Sequence, residues 1–107
     1  MSKINLTYDK KEYTLEYSRQ SVRTMEAQGF NFDLLTAKPG TMLPMLFEGA
    51  FLKNHKGIKR RLIDDIYEEI GNKGELLAAL GEMYAETLNT LIGDKADEGN
   101  AQWAVVK

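Results

Sequence analysis

The chain contains no cysteine, a single histidine, a single tryptophan and only two prolines among its 107 residues. The lack of cysteine rules out disulfide staples, thiolate catalysis and every zinc site that needs sulfur ligands, and it leaves the redox compartment unreadable. No apolar run approaches the roughly 18 residues needed to span a bilayer. The opening Met1-Ser2-Lys3-Ile4-Asn5-Leu6 has no apolar core of the kind a secretory leader carries. The expectation is therefore a soluble protein that stays in the cytoplasm. On that expectation Asn5-Leu6-Thr7 is a chance match to a glycosylation sequon. A strong charge of either sign is also missing. The formal net charge is -2 and the pI about 5.4, so the global attraction on which small nucleic-acid binders rely is absent.

What is present is ordinary globular composition: 43% hydrophobic and 28% charged residues, in a chain long enough for one core and too short for two. We read residues 1–93 as a single α+β domain and 94–107 as an acidic linker, through Asp94, Asp97 and Glu98, followed by a short β-prone tail.

Apolar and polar side chains alternate at Ile4, Leu6 and Tyr8 and again at Tyr13, Leu15 and Tyr17, on either side of Asp9-Lys10-Lys11. That pattern predicts a β-hairpin with one apolar face. An isolated hairpin is marginal in water, so this face must lie on helices or gain a strand. Ser18 is placed to cap a helix carrying Val22, Met25 and Ala27, and Gly29 to end it. A connector over 30–40 holds Phe30, Phe32, Leu34 and Leu35, which are expected against the core. Thr41 is read as the cap of a second helix with Pro44 in its first turn, and Leu43, Leu46, Phe47, Ala50 and Phe51 at helical spacing. A third helix is marked by Ile58, Leu62, Ile63, Ile66, Tyr67 and Ile70 and stopped at Gly71. A fourth follows with Leu76, Leu77, Leu80, Met83, Tyr84, Leu88 and Leu91 facing inward, closed by Gly93. The terminal Trp103, Ala104, Val105 and Val106 either add a strand to the hairpin or form a docking peptide. The expected architecture is an N-terminal hairpin packed on about four helices.

A search for chemistry finds no nucleophile elbow and no phosphate-loop glycine pattern, and the one His has no placed nucleophile beside it. The expectation is a non-enzymatic protein with no catalytic residue, cofactor or metal. His55, among Lys and Arg, reads as a solvated loop residue. Asp64, Asp65, Glu68 and Glu69 are paired at helical spacing, yet Arg60 and Arg61 precede Asp64 and Asp65 by one turn. A charge-balanced solvated face explains them without a metal ion.

The basic run Lys53, His55, Lys56, Lys59, Arg60 and Arg61 has the least structural excuse, because Lys59, Arg60 and Arg61 begin a helix where the dipole prefers negative charge. It suits an acidic patch or phosphate on a partner; the alternative is a corner offset by acids one turn on. No aromatics are interleaved for base stacking, which argues against nucleic acid. Met42 and Met45 flank the apolar stripe of the second helix. They are read as core, with an exposed groove beside Phe47 and Phe51 as the functional alternative. Candidate partner-binding residues are thus Met42, Met45, Phe47, Phe51, Lys53, Lys56, Lys59, Arg60, Arg61 and Trp103.

Three stretches, INLTYDKKEYTLEYSRQSVRTMEAQGFNFD, MLFEGAFLKNHKGIKR and DEGNAQWAVVK, give the chain a general pattern that resembles the tail assembly chaperones of phages and prophages of Gram-positive bacteria. The resemblance covers nearly the full length and rests on no chemical motif. It implies a non-enzymatic role in virion morphogenesis in the host cytoplasm, with the long helical tape measure protein as client. Tail tube subunits are recruited in many such phages by a frameshifted C-terminal extension. A long amphipathic client needs many copies of a small domain, so a homo-oligomer is expected. Two other functions remain open: a small nucleic-acid-binding regulator using the basic run, and a structural tail component retained in the virion.

Overall fold

The computed structural model describes residues 3–92 and 104–106, the side chain of Ile92 excepted. Gly93, the acidic linker and Trp103 lie outside the described residues. The fold is α+β: an antiparallel hairpin packed on four helices. Strand β1 (Ile4–Tyr8) pairs with β2 (Lys11–Leu15), with Ile4 opposite Leu15, Leu6 opposite Tyr13 and Tyr8 opposite Lys11. The turn is one residue shorter than the polar stretch suggested, because Lys11 already belongs to β2. Asp9 and Lys10 both take left-handed backbone, with φ of 49° and 65°, the signature of the two-residue turn whose twist matches that of paired strands.

That turn sets the direction of every backbone group in the hairpin. Its closing pair, Tyr8 and Lys11, exchanges hydrogen bonds, so alternate residues inward from it do likewise. Ile4, Leu6 and Tyr8 therefore spend their amides on β2, while Asn5 and Thr7 aim theirs away from it. On the second strand, Glu12 and Thr14 point outward in the same way. Leu6, Tyr13 and Leu15 are buried on the helical side, and Asn5, Thr7 and Glu12 are exposed.

Helix α1 (Arg19–Ala27) starts where expected. The Ser18 hydroxyl accepts from the Ser21 amide at 3.1 Å, and the Ser21 hydroxyl accepts from the Ser18 amide at 2.7 Å, a reciprocal cap. Val22 and Met25 are buried, whereas Ala27 is exposed. Gly29, at φ 102°, ends the helix, and Phe30 donates back to the Met25 carbonyl at 2.9 Å. A 3-10 turn (Phe32–Leu34) follows, with the Phe32 ring stacked on Tyr84 at 5.3 Å.

Helix α2 (Pro39–Gly49) begins earlier than Thr41. Lys38 is its cap and donates to the Leu34 carbonyl at 2.7 Å, and Pro39, with its fixed φ, opens the first turn. Pro44 consequently sits inside the helix, where its missing amide leaves the Gly40 carbonyl without an intrahelical donor. Helix α3 (Arg60–Glu69) ends because Ile70 turns extended, at ψ 136°. The left-handed residue beyond it is Asn72, at φ 53°, and not Gly71. Helix α4 (Lys73–Ile92) starts ahead of its first apolar residue. Leu80, Met83 and Tyr84 are buried, but Leu91, expected inside, is 37% exposed.

Helix α2 occupies the centre, in contact with α1, the 3-10 turn, α3 and α4. Its Leu46 and Phe47, and Ala50 and Phe51 just past its end, are sealed, and each large side chain so buried contributes about 1.5–3 kcal/mol. Tyr84 meets Tyr17 and Phe30 edge-on, and the Tyr17 hydroxyl donates to the Leu46 carbonyl. Helices α1 and α2 touch through Gly49: a Cβ built there would fall 2.2 Å from the Met25 sulfur. The sheet holds β1 and β2 among the described residues. Ala104 to Val106 form no strand, and Val105 and Val106 are 70% and 93% exposed.

Candidate functional site

The connector from Ala50 to Lys59, between α2 and α3, wraps the outer edge of β2. The Glu16 amide donates to the Ala50 carbonyl at 3.0 Å, and the Thr14 amide to His55 Nε2 at 3.0 Å. Asn54 Nδ2 donates to the Thr14 carbonyl at 3.3 Å. His55 is thus no solvated loop residue. It is half-buried, meets the Tyr13 ring at 5.2 Å and the Phe51 ring at 6.2 Å, and must hold Nε2 unprotonated to accept.

The connector also collects most of the basic run. Lys53 reaches Glu16 at 2.8 Å and Arg60 reaches Glu48 at 3.4 Å. The pairs expected along α3, Arg60 with Asp64 and Arg61 with Asp65, do not form. Arg60 turns instead toward α2, where Glu48 lies close to both Arg60 and Asp64. Lys56, Lys59 and Arg61 are exposed, and no acid pairs with them among the described residues. Lys59, as the residue before α3, makes no side-chain cap.

Beside Lys56 and Arg60 runs a shallow groove of about 150 Å3, lined also by Phe51, Leu52, Ile58, Ile63 and Glu48. A second depression of about 300 Å3 continues across Leu52, Lys53 and Lys56 to Ser18, Gln20 and Thr24. Partial burial holds the Glu48 carboxyl above its ordinary value of 4.5, with Arg60 opposing the shift and Asp64 adding to it. The Lys53 ammonium holds Glu16 below that value.

Of the methionine and phenylalanine candidates, Phe51 alone borders the groove beside Lys56 and Arg60, from beneath. Met42, Phe47 and Phe51 are core, 5%, 0% and 0% exposed, because α2 and the residues just after it are enclosed by their neighbours. The groove imagined beside Phe47 and Phe51 is filled by Tyr13, Tyr67 and the rings of those two residues themselves. The Met42 sulfur accepts from the Asn31 amide at 3.5 Å. Met45 is half-buried against the core, and Trp103 lies outside the described residues.

A surface not marked by the sequence reading runs along β1. Its outward amides and carbonyls, at Asn5 and Thr7, have no hydrogen-bond partner among the described residues. Beside them lies a groove of about 460 Å3, floored by Ile4, Leu6, Ile70, Leu76 and Ala79, with Glu75 on its rim. At the turn end of β1 the Tyr8 hydroxyl donates to Glu69, which pushes the phenol up to about 12. The available signal was the strand INLTY itself, which carries no charge and no proline.

Among the described residues, no group of His, Asp and Glu is arranged to hold a metal ion, and no helix is long and apolar enough to cross a membrane. No curated protein and no solved structure matches the chain. A family model does match, over residues 1–106, and its description is "Domain of unknown function (DUF5055)". With nearly its whole length matched, the chain belongs to that family.

Proposed function

We propose that this protein is a non-enzymatic tail assembly chaperone of a phage or prophage. It holds the tape measure protein in the bacterial cytoplasm before the tail tube polymerises, with tail tube subunits as a second client. The observation that carries this reading is the corner between α2 and α3. Its apolar strip of Leu52 and Ile58, underlain by the buried Phe51 and Ile63, is lined by Lys56 and Arg60, and the exposed Lys59 and Arg61 flank Arg60 in sequence; no acid of the described residues pairs with Lys56, Lys59 or Arg61. An amphipathic helix with acidic flanks fits such a strip, with its apolar stripe in the groove and its carboxylates on the rim. Individually weak contacts of this size become useful when many copies sit on one long client.

Co-expression with the long coiled-coil product of a neighbouring gene tests the reading. The client should become soluble in a complex, and the triple change Lys56→Glu, Lys59→Glu, Arg61→Glu should weaken that complex roughly tenfold or more without unfolding the domain, since all three side chains are exposed. A client that stays insoluble sinks the proposal. The same cations favour one other reading, a nucleic-acid-binding regulator. It predicts binding to DNA or RNA at low salt that falls steeply as salt rises.

A further inference from the structure

We propose that the outer edge of β1 is the contact through which two copies of this chain form a closed, two-fold dimer, joining their hairpins into a continuous four-stranded sheet. The inference is independent of the client reading, because it concerns the side of the hairpin opposite the basic corner.

Unpaired strand edges are normally blunted by charge, proline, a bulge or a covering segment. Among the described residues strand β1 has none of these: its residues are Ile4, Asn5, Leu6, Thr7 and Tyr8, all uncharged and in regular register with β2. The groove beside it leaves apolar side chains from β1, from Ile70 just past α3 and from α4 open at the same place.

The occupant follows from the strand's own complementarity. The outward backbone groups sit at Asn5 and Thr7, so an antiparallel partner must place its own outward residues opposite them. Centred on Leu6, the middle of the strand, a second β1 does so. Asn5 faces Thr7 of the second copy and exchanges both backbone hydrogen bonds with it, and the two-fold axis repeats the exchange. On the apolar face this register sets Leu6 against its own copy and Ile4 against Tyr8. On the polar face it sets Lys3 against Asp9 of the second copy, an opposite-charge pair that also occurs twice. Lys3 faces Glu16 across its own hairpin and lowers the pKa of that acid, so the dimer would place it between two carboxylates. No like charges meet along the strand.

Sedimentation across a concentration series tests the proposal. The wild-type chain should be a dimer that dissociates on dilution. Thr7→Pro removes an outward amide without touching the bonds between β1 and β2, so it should be a monomer with an unchanged circular dichroism spectrum. Lys3→Glu sets two acids opposite each other and should weaken the dimer several-fold, while the exchanged pair Lys3→Glu with Asp9→Lys should recover it. Should Thr7→Pro fail to fold, the contrast between the single and exchanged charge variants decides. The inference is overturned by a wild-type chain that is monomeric at the highest soluble concentration. A dimer indifferent to both Thr7→Pro and Lys3→Glu, or an assembly that grows without closing at two copies, would overturn it equally.

Discussion

The two edges of one hairpin are treated in opposite ways. Along β2, the Thr14 amide, the Thr14 carbonyl and the Glu16 amide just beyond the strand are taken up by His55, Asn54 and Ala50, all from the connector between α2 and α3. Along β1, the corresponding groups of Asn5 and Thr7 find no partner among the described residues. Outward backbone groups exist on both sides because a two-residue turn dictates them. What differs is whether the rest of the chain returns to cover them. A covered edge is a structural seam, and an uncovered one is a place where another strand can be read into the sheet.

The sharpest way to break this contrast is to put the same residue on each edge. Thr14→Pro removes an amide that His55 accepts and should cost about 3 kcal/mol or more. Thr7→Pro removes one that none of the described residues uses and should cost less than about 1 kcal/mol. Chemical denaturation of both variants, at a concentration where the chain is monomeric, measures the difference. Equal losses would mean that the two edges are equivalent. Next in size is His55→Ala, which strands the Thr14 amide and deletes ring contacts to Tyr13 and Phe51. It should lower stability by about 2–3 kcal/mol and speed hydrogen exchange at Thr14 and Glu16 while leaving Asn5 and Thr7 as they were.

Smaller effects probe the turn and the charges. Replacing Asp9-Lys10 by Asn-Gly, the pair that left-handed turn positions favour, should add about 0.5–1 kcal/mol. It should tighten both edges together. The acids beside the connector give the smallest shifts, and of opposite sign. Glu16 is held below its ordinary pKa, so its contribution is complete above about 4.5 and is lost as pH falls through the folded-state value. Glu16→Gln should therefore flatten the acid side of the stability curve by less than about 1 kcal/mol. Glu48 is held above 4.5 by partial burial, so it opposes folding once pH rises past that value. Glu48→Gln should leave acid stability alone and raise stability slightly at neutral pH. Urea titrations at several pH values separate the two.

Much of this architecture was legible because it rests on local rules. The alternation at Ile4, Leu6, Tyr8, Tyr13 and Leu15 gave the hairpin, Ser18 and Gly29 bounded α1, and helical spacing located α3 and α4. Misreadings occurred where tertiary contact decides. Thr41 is a good cap in isolation, but the Lys38 amide finds the Leu34 carbonyl first, and α2 starts at Pro39. His55 lies among cations in sequence, whereas in space it faces a strand amide and two rings. Arg60 has Asp64 one turn away and still reaches to Glu48. Met42, read as core, is core, and the alternative of an exposed groove beside Phe47 and Phe51 fails because neighbouring rings enclose both. The β1 groove was invisible because its floor joins Ile4 and Leu6 to Ile70, Leu76 and Ala79, residues that no periodicity links. The unprotected composition of the strand was the one hint.

The close approach of α1 and α2 at Gly49 has a consequence for how such a chain varies. The space a side chain at position 49 would occupy is already held by the Met25 thioether, itself 1% exposed. The two positions therefore share a single volume, and a methyl group gained at one must be surrendered at the other for the helices to keep their distance. Sequences that keep this helix pair should exchange bulk between positions 25 and 49 in concert, so that size at either position forecasts size at its mate.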